Sequence, residues 1–208
     1  MKKDNSMQRF AYGALICMCL IFPDVGVAAA ESAAMRQLRA SVNAVIEVLR
    51  QKEVPFEQRR DRVSTIVRAR FDFAYMARSA LGPNWNALNA EQQQHFTDVF
   101  TELMESSYMA HINAYRDETV SYIKEQENQG RVMIDTEIFS AGDSIPISYK
   151  LVNRAGQWLV YDVVIENVSL VRNYRSSYGD LFMREGYDGL IDRMEKKVNE
   201  LRSSEGGT

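Results

Sequence analysis

The sequence predicts an α+β domain: a twisted antiparallel sheet of about four strands, wrapped by helices from both ends of the chain. Three observations predict it. Apolar residues recur at three- and four-residue steps up to about residue 114 and again after residue 169. Between about 120 and 168 they alternate with a period of two. Turn residues divide that stretch into short strands, which suits a meander.

Residues 31–52 read as a helix, because Leu38, Val42, Val45, Ile46 and Leu49 share one face. Pro55 interrupts, and a second helix follows from Phe56 to about Arg70. A short apolar helix, FDFAYMARSAL, stops at Gly82-Pro83. Asn89, with Gln92 three residues on, forms a capping box for a long helix. Phe96, Val99, Phe100, Leu103, Ser107, Ala110 and Ala114 form one stripe along it.

SYIKEQENQGRVMIDTEIF then reads as a hairpin turning at Asn128-Gln129-Gly130, with Val132, Ile134, Thr136 and Ile138 on one face. After Ala141-Gly142-Asp143, SIPISYKLVN is a strand with Ile145, Ile147, Tyr149 and Leu151 on one face. Arg154-Ala155-Gly156 turns again, and QWLVYDVVIENV is the last strand. Trp158, Val160, Asp162 and Val164 alternate there with Leu159, Tyr161, Val163 and Ile165, which gives two apolar faces. A strand of that kind is expected to be covered on both sides, by core on one and a cavity wall or more helix on the other. Helical spacing runs from Ser169 to Met183, is interrupted at Gly186 and resumes through Leu190, Ile191, Met194, Val198 and Leu201. Residues 203–208 read as a disordered tail. A sheet enclosed in this way forms a cone or cradle.

The first thirty residues read as a secretory signal peptide. Lys2, Lys3 and Arg9 precede an apolar run from Ala11 to Phe22, Pro23 breaks it, and Ala28-Ala29-Ala30 supplies the small residues of a cleavage site. About a dozen apolar residues is short for a bilayer span. Cleavage near Ala30 leaves about 178 residues, 31–202 of them one domain. Cys17 and Cys19 are the only cysteines and leave with the signal segment, so the exported chain has neither a disulfide nor a Cys-ligated metal. Loss of Lys2, Lys3, Arg9, Asp4 and Asp24 leaves 22 basic and 26 acidic residues, a net charge of about −4. That balance argues against nucleic acid as a partner.

No catalytic constellation emerges, and neither a metal nor a cofactor is expected. His95 and His111 lie about 24 Å apart and on roughly opposite faces of one predicted helix, so His95 reads as a solvated helix residue. Asp162 and Glu166 are spaced about 13 Å apart on one strand, wide for a general acid/base pair, and read as hydrogen-bonded or rim residues. The five arginines of EQRRDRVSTIVRAR could bind lipid phosphates or an acidic partner, but they read first as a solvated helix face offset by Glu57 and Asp61. No G-x-S-x-G, P-loop or H-E-x-x-H motif is present.

Three segments occur in an order that carries a resemblance: M-A-R-x-x-L-G-x-x-W at 76–85, W-x-V-Y-D-V-x-I-E-x-V-S-L-V-x-N-Y-R at 158–175, and G-Y-D-G-L at 186–190. Together they resemble the MlaC family of periplasmic phospholipid carriers, also called toluene-tolerance auxiliary proteins. Asn167 departs from the Gly that members often carry there. The resemblance implies a non-enzymatic carrier that binds diacyl glycerophospholipid in a deep apolar cavity between sheet and helices. Its implied partners are an inner-membrane ABC transporter with a substrate-binding ring subunit and an outer-membrane lipoprotein–porin complex. A branch of the family tied to hopanoid clusters makes a hopanoid the alternative cargo.

Expected lining residues are Tyr75, Phe96, Phe100, Leu103 and Tyr108 from the helices, with Ile134, Ile147, Tyr149, Val160, Val164 and Val168 from the sheet; ordinary core is the competing role for each. Asn173-Tyr174-Arg175 reads as a structural clamp: Arg175 pairing an acid, Asn173 bonding backbone, Tyr174 packing where the final helices close over the sheet. An enzyme on a cone-shaped scaffold is the alternative class, and it would need an acid/base pair converging on the pocket.

Overall fold

The structure is a computed structural model and describes residues 31–113, 117–140 and 142–205. The signal segment and its cleavage site, Ala114 and the last three residues of the tail lie outside the described residues. So do the side chains of Ala110 and His111.

Helix α1 (Ala33–Arg50) begins where Ser32 accepts a 2.9 Å hydrogen bond from the Met35 amide. Helix α2 (Phe56–Arg70) returns antiparallel to it after Pro55. Helix α3 (Phe73–Leu81) is capped by Asp72, whose carboxylate accepts from the Tyr75 amide at 3.0 Å. The chain does not simply stop at Gly82-Pro83: Gly82–Ala87 forms a 3-10 segment. Helix α4 (Ala90–Asn113) opens on the reciprocal box, in which the Gln92 amide donates to Asn89 Oδ1 at 2.9 Å and the Asn89 amide donates to Gln92 Oε1 at 3.1 Å.

Strands β1 (Thr119–Asn128), β2 (Arg131–Ser140), β3 (Asp143–Arg154) and β4 (Gln157–Ile165) form the expected meander, in which each strand pairs with the next. A fifth strand, β5 (Val168–Ser169), adds two residues to the β4 edge. Three of the connections are two-residue turns with both central residues at positive φ: Gln129-Gly130, Ala155-Gly156 and Glu166-Asn167. Their left-handed geometry matches the twist of the flanking strands. Asn167, at φ 68°, holds the position often given to Gly and tolerates it because its short amide stabilises that conformation locally.

The sheet departs from simple alternation at two points: Ile123 is an extra residue in β1, between Tyr122 and Lys124, and a second slip lies between β3 and β4. In β3, Ile147, Tyr149 and Leu151 share a face, and their β4 partners are Ile165, Val163 and Val160. The register shifts between Lys150 and Leu151, leaving Tyr161 as an extra residue in β4. Inward positions are therefore even-numbered up to Val160 and odd-numbered from Val163 onward. The two apolar faces read in the sequence are largely one inner face whose phase slips by a residue. Val164 pairs with Ser148 on the opposite face, and Val168 is 55% exposed.

Helix α5 (Leu170–Glu205) carries the chain away from the sheet and continues past Arg202, where the domain was expected to end. It is broken at Gly186, whose φ of 72° and ψ of −169° are not helical. The largest side chains of the core pack between α3, α4 and α5. Phe96 stacks on Phe100 with ring centroids 6.1 Å apart, and Trp85, Tyr174 and Tyr178 meet these rings edge-on at 5.6 to 6.5 Å.

The clamp expected at residues 173–175 is corrected in two of its three parts. Tyr174 does pack on Phe100. Arg175 lays its guanidinium close to Gly82, where an added Cβ would come within 2.8 Å of Nε, and no ion pair joins it to an acid among the described residues. The Asn173 side chain is exposed, and its carbonyl accepts from Ser177 within the helix.

Candidate functional site

The α1–α2 hairpin is tied to β4 at one end, through Gln37 and Arg70, and elsewhere stands off the sheet. Between them lies a cavity of about 710 Å³, within the range of roughly 300–1,000 Å³ usual for ligand pockets. One wall is the α1 stripe of Leu38, Val42, Val45, Ile46 and Leu49. Val63, Ile66 and Val67 of α2 continue it, and Phe71 and Phe73 close it at the start of α3. The facing wall is Val120, Ile138, Ile145, Ile147, Tyr149, Val163 and Ile165 of the sheet, with Met104 and Tyr108 of α4 at the side.

Polar groups in the lining are few. Glu105 is held by Arg68, whose Nε donates at 2.8 Å, and by Ser64 at 2.7 Å. Glu118 accepts from Ser140 at 2.9 Å. Glu166 sits in the exposed β4–β5 turn. Arg70 is the one cation in the lining among the described residues. Burial pushes the Tyr149 and Tyr108 phenols up to about 12, so both stay neutral at ordinary pH.

Of the eleven expected lining residues, Tyr108, Ile147 and Tyr149 line this cavity. Phe96, Phe100 and Leu103 are buried in the core beneath it, because they face α3 and α5 while Met104 and Tyr108, further along α4, face the cavity. Ile134 and Val160 are fully buried and lie outside the lining. Tyr75 packs edge-on against Tyr161 at 5.5 Å. Val164 and Val168 are turned elsewhere by the bulge and the final turn. The α1 and α2 contributors were not among the expected residues, although the Leu38–Leu49 stripe was visible as periodicity.

The other polar candidates are internally satisfied. Asp162 accepts from Lys150 Nζ at 2.9 Å, Ser169 Oγ at 2.8 Å and the Val171 amide at 3.2 Å, joining β3, β4 and the start of α5. His95 lies 3.0 Å from the Tyr187 hydroxyl and 3.4 Å from Glu195. All five α2 arginines have acceptors: Arg59 the carbonyls of Leu49 and Val54, Arg60 the carboxylate of Glu57, Arg62 Gln51 Oε1, Arg68 Glu105, and Arg70 the Ser41 hydroxyl, Gln37 Oε1 and the Trp158 carbonyl. Among the described residues, no group of three or more His, Cys, Asp or Glu could hold a metal ion, and no helix is long and apolar enough to cross a membrane.

Comparison with known proteins agrees with this architecture. The intermembrane phospholipid transport system binding protein MlaC of Haemophilus influenzae is 26% identical over 132 residues, covering 61% of this chain and 62% of that protein. The chain thus spans about three-fifths of that relative's length. A solved phospholipid-binding protein from Ralstonia solanacearum, in complex with a phospholipid, shares the fold with a TM-score of 0.76 at 21% identity; the match covers 82% of this chain and 99% of that one. The model of the family described as MlaC protein matches residues 39–196, which take in both walls of the cavity except Leu38, and most of α5. The chain therefore belongs to the MlaC family.

Proposed function

We propose that the protein is a periplasmic lipid carrier, exported through cleavage near Ala30, that holds the acyl chains of a phospholipid in the cavity between the α1–α2 hairpin and the sheet. The observation that carries this reading is the cavity itself: about 710 Å³, walled on both sides by aliphatic side chains. A well-packed domain leaves few voids larger than a water molecule. An apolar space of this size is costly empty and unfavourable when wet, so it suits an apolar guest.

The energetics suit exchange between membranes. Each methylene removed from water is worth about 0.8 kcal/mol, so a carrier must replace most of the bilayer's apolar contact. It must not exceed it greatly, or cargo would not leave. A wall of Val, Ile and Leu with few polar groups meets both conditions. We further propose the partners that the family suggests, an inner-membrane ABC transporter with a substrate-binding ring and an outer-membrane lipoprotein–porin complex. The curated relative is named for intermembrane phospholipid transport, which supports this reading.

The test is native purification of the exported protein, then extraction and lipid mass spectrometry. Stoichiometric phospholipid is the expected result. A hopanoid would change the cargo class, and an empty protein would overturn the carrier reading.

A further inference from the structure

Arg70 is the last residue of α2 and, among the described residues, the only Lys or Arg in the cavity lining. Its Nε donates to Ser41 Oγ at 2.9 Å, and its Nη1 donates to Gln37 Oε1 at 2.9 Å and the Trp158 carbonyl at 2.7 Å. All three acceptors are neutral. Nη2 bonds to none of the described residues, and no carboxylate among them pairs with this guanidinium. Arg68, two residues earlier, is the contrast: Glu105 offsets its charge and raises its pKa, whereas burial alone acts on Arg70 and lowers it. A partly buried cation without a counter-ion is costly, and its geometry here is fixed. Gln37 is itself anchored, accepting from the Trp158 amide at 2.9 Å and donating to the Gly156 carbonyl at 3.1 Å.

The cavity is also electrically polar along its length. Arg70 sits by Trp158, which pairs with Asn153 near the end of β3. Glu118 and Glu166 lie toward the other end of the same strand, beside the rows of Ile145 and Ile147. Eight residues of strand separate Ile145 from Asn153, about 26 Å. An anion is repelled from the acidic end and drawn to the other.

We propose that Arg70 binds the anionic phosphate of the carried lipid through Nη2, so that the phosphate faces the α2–β4 end and the acyl chains extend along the α1 stripe. Gln37 and Ser41 act as positioning residues. Arginine suits the role because its planar donors fit phosphate oxygens and it remains charged when partly buried. Because every glycerophospholipid carries this phosphate, the contact favours phospholipid over uncharged diacylglycerol without selecting a headgroup. This inference rests on the carrier reading.

The test uses delipidated protein and measures affinity for dioctanoyl phosphatidylglycerol, for dioctanoylglycerol with the same chains, and for inorganic phosphate. In the wild type the phospholipid is expected to bind about tenfold tighter than the uncharged lipid, as one charge-assisted contact allows. R70Q is expected to lower affinity for dioctanoyl phosphatidylglycerol about tenfold more than affinity for dioctanoylglycerol, which removes the preference, and R70K restores part of it. Equal affinity of the wild type for the two lipids overturns the proposal. So does an equal loss of both in R70Q, which would make Arg70 a structural tie alone. Binding of inorganic phosphate by itself would assign the site to free anion and overturn the lipid role. Binding of neither lipid would overturn the carrier reading, and this inference with it.

Discussion

Phe100 and Val67 are both apolar, and their substitutions are expected to act in opposite ways. Phe100 is fully buried in the aromatic stack between α4 and α5. Phe100→Ala leaves a hole that this packing cannot close and is expected to cost about 3–5 kcal/mol in chemical denaturation. Val67 is half-buried and faces the cavity. Val67→Trp places an indole in space that is already open, so the variant should lose co-purified lipid while matching the thermal midpoint of delipidated wild type. A variant that retained stoichiometric lipid would place the cargo elsewhere. The buried phenols give a pH prediction. Tyr108 and Tyr149 are pushed up from 10 to about 12 by burial, and Tyr178 further. Burial disfavours their phenolates, so the unfolded chain releases these protons near pH 10 while the folded chain holds them. Their contribution is fully present below pH 10 and lost as pH rises toward 12. Denaturation at pH 9 and pH 11 should show a clear fall in stability, and equal values would contradict this burial.

Among the elements, the break in α5 depends on one residue. Gly186 has a backbone conformation essentially confined to glycine, and a Cβ there would touch nothing within 4 Å. Gly186→Ala should therefore cost about 1–3 kcal/mol from backbone strain alone, with the far-UV helical signal retained. The bulge in β4 is the second such feature. Its extra residue, Tyr161, is what moves the inward positions from Val160 to Val163 and Ile165 while their pairing with β3 stays continuous. These two features also explain what the sequence made legible. Gly186 was readable as an interruption because glycine is a local signal. The helices and hairpins were readable because periodicity and turn residues are local too. The bulge was not: Tyr161 is an ordinary strand residue, and only its register against Lys150 and Leu151 makes it the extra one. That slip is why Val164 was read as inward and Val163 was not. The α1 stripe was visible as periodicity, but an apolar stripe facing a cavity and one facing a packed core have the same spacing.

The molecule as a whole combines two kinds of packing. Helices α3, α4 and α5 enclose a filled core in which Phe96, Phe100, Leu81, Leu190 and Met194 are almost wholly buried. The α1–α2 hairpin instead meets the inner face of the sheet across open space, and Arg70, Gln37 and Trp158 tie it to β4 at one end. On the carrier reading, the lipid supplies the missing core of that second region. Ligand that binds only the folded state adds about 2.7 kcal/mol at a hundred times its dissociation constant, and this gain should appear where the contacts are. Stripping the lipid is therefore expected to speed amide exchange in residues 33–70 by tenfold or more. Exchange in α4 and the first half of α5 should stay nearly as slow as before, because their side chains pack on one another. Hydrogen exchange followed by mass spectrometry on loaded and stripped protein reads this directly. Equal protection of α1 and α2 in the two forms would mean that the cavity holds no cargo. Uniform loosening of every element would mean that the lipid supports the fold as a whole and that the two regions are not energetically distinct.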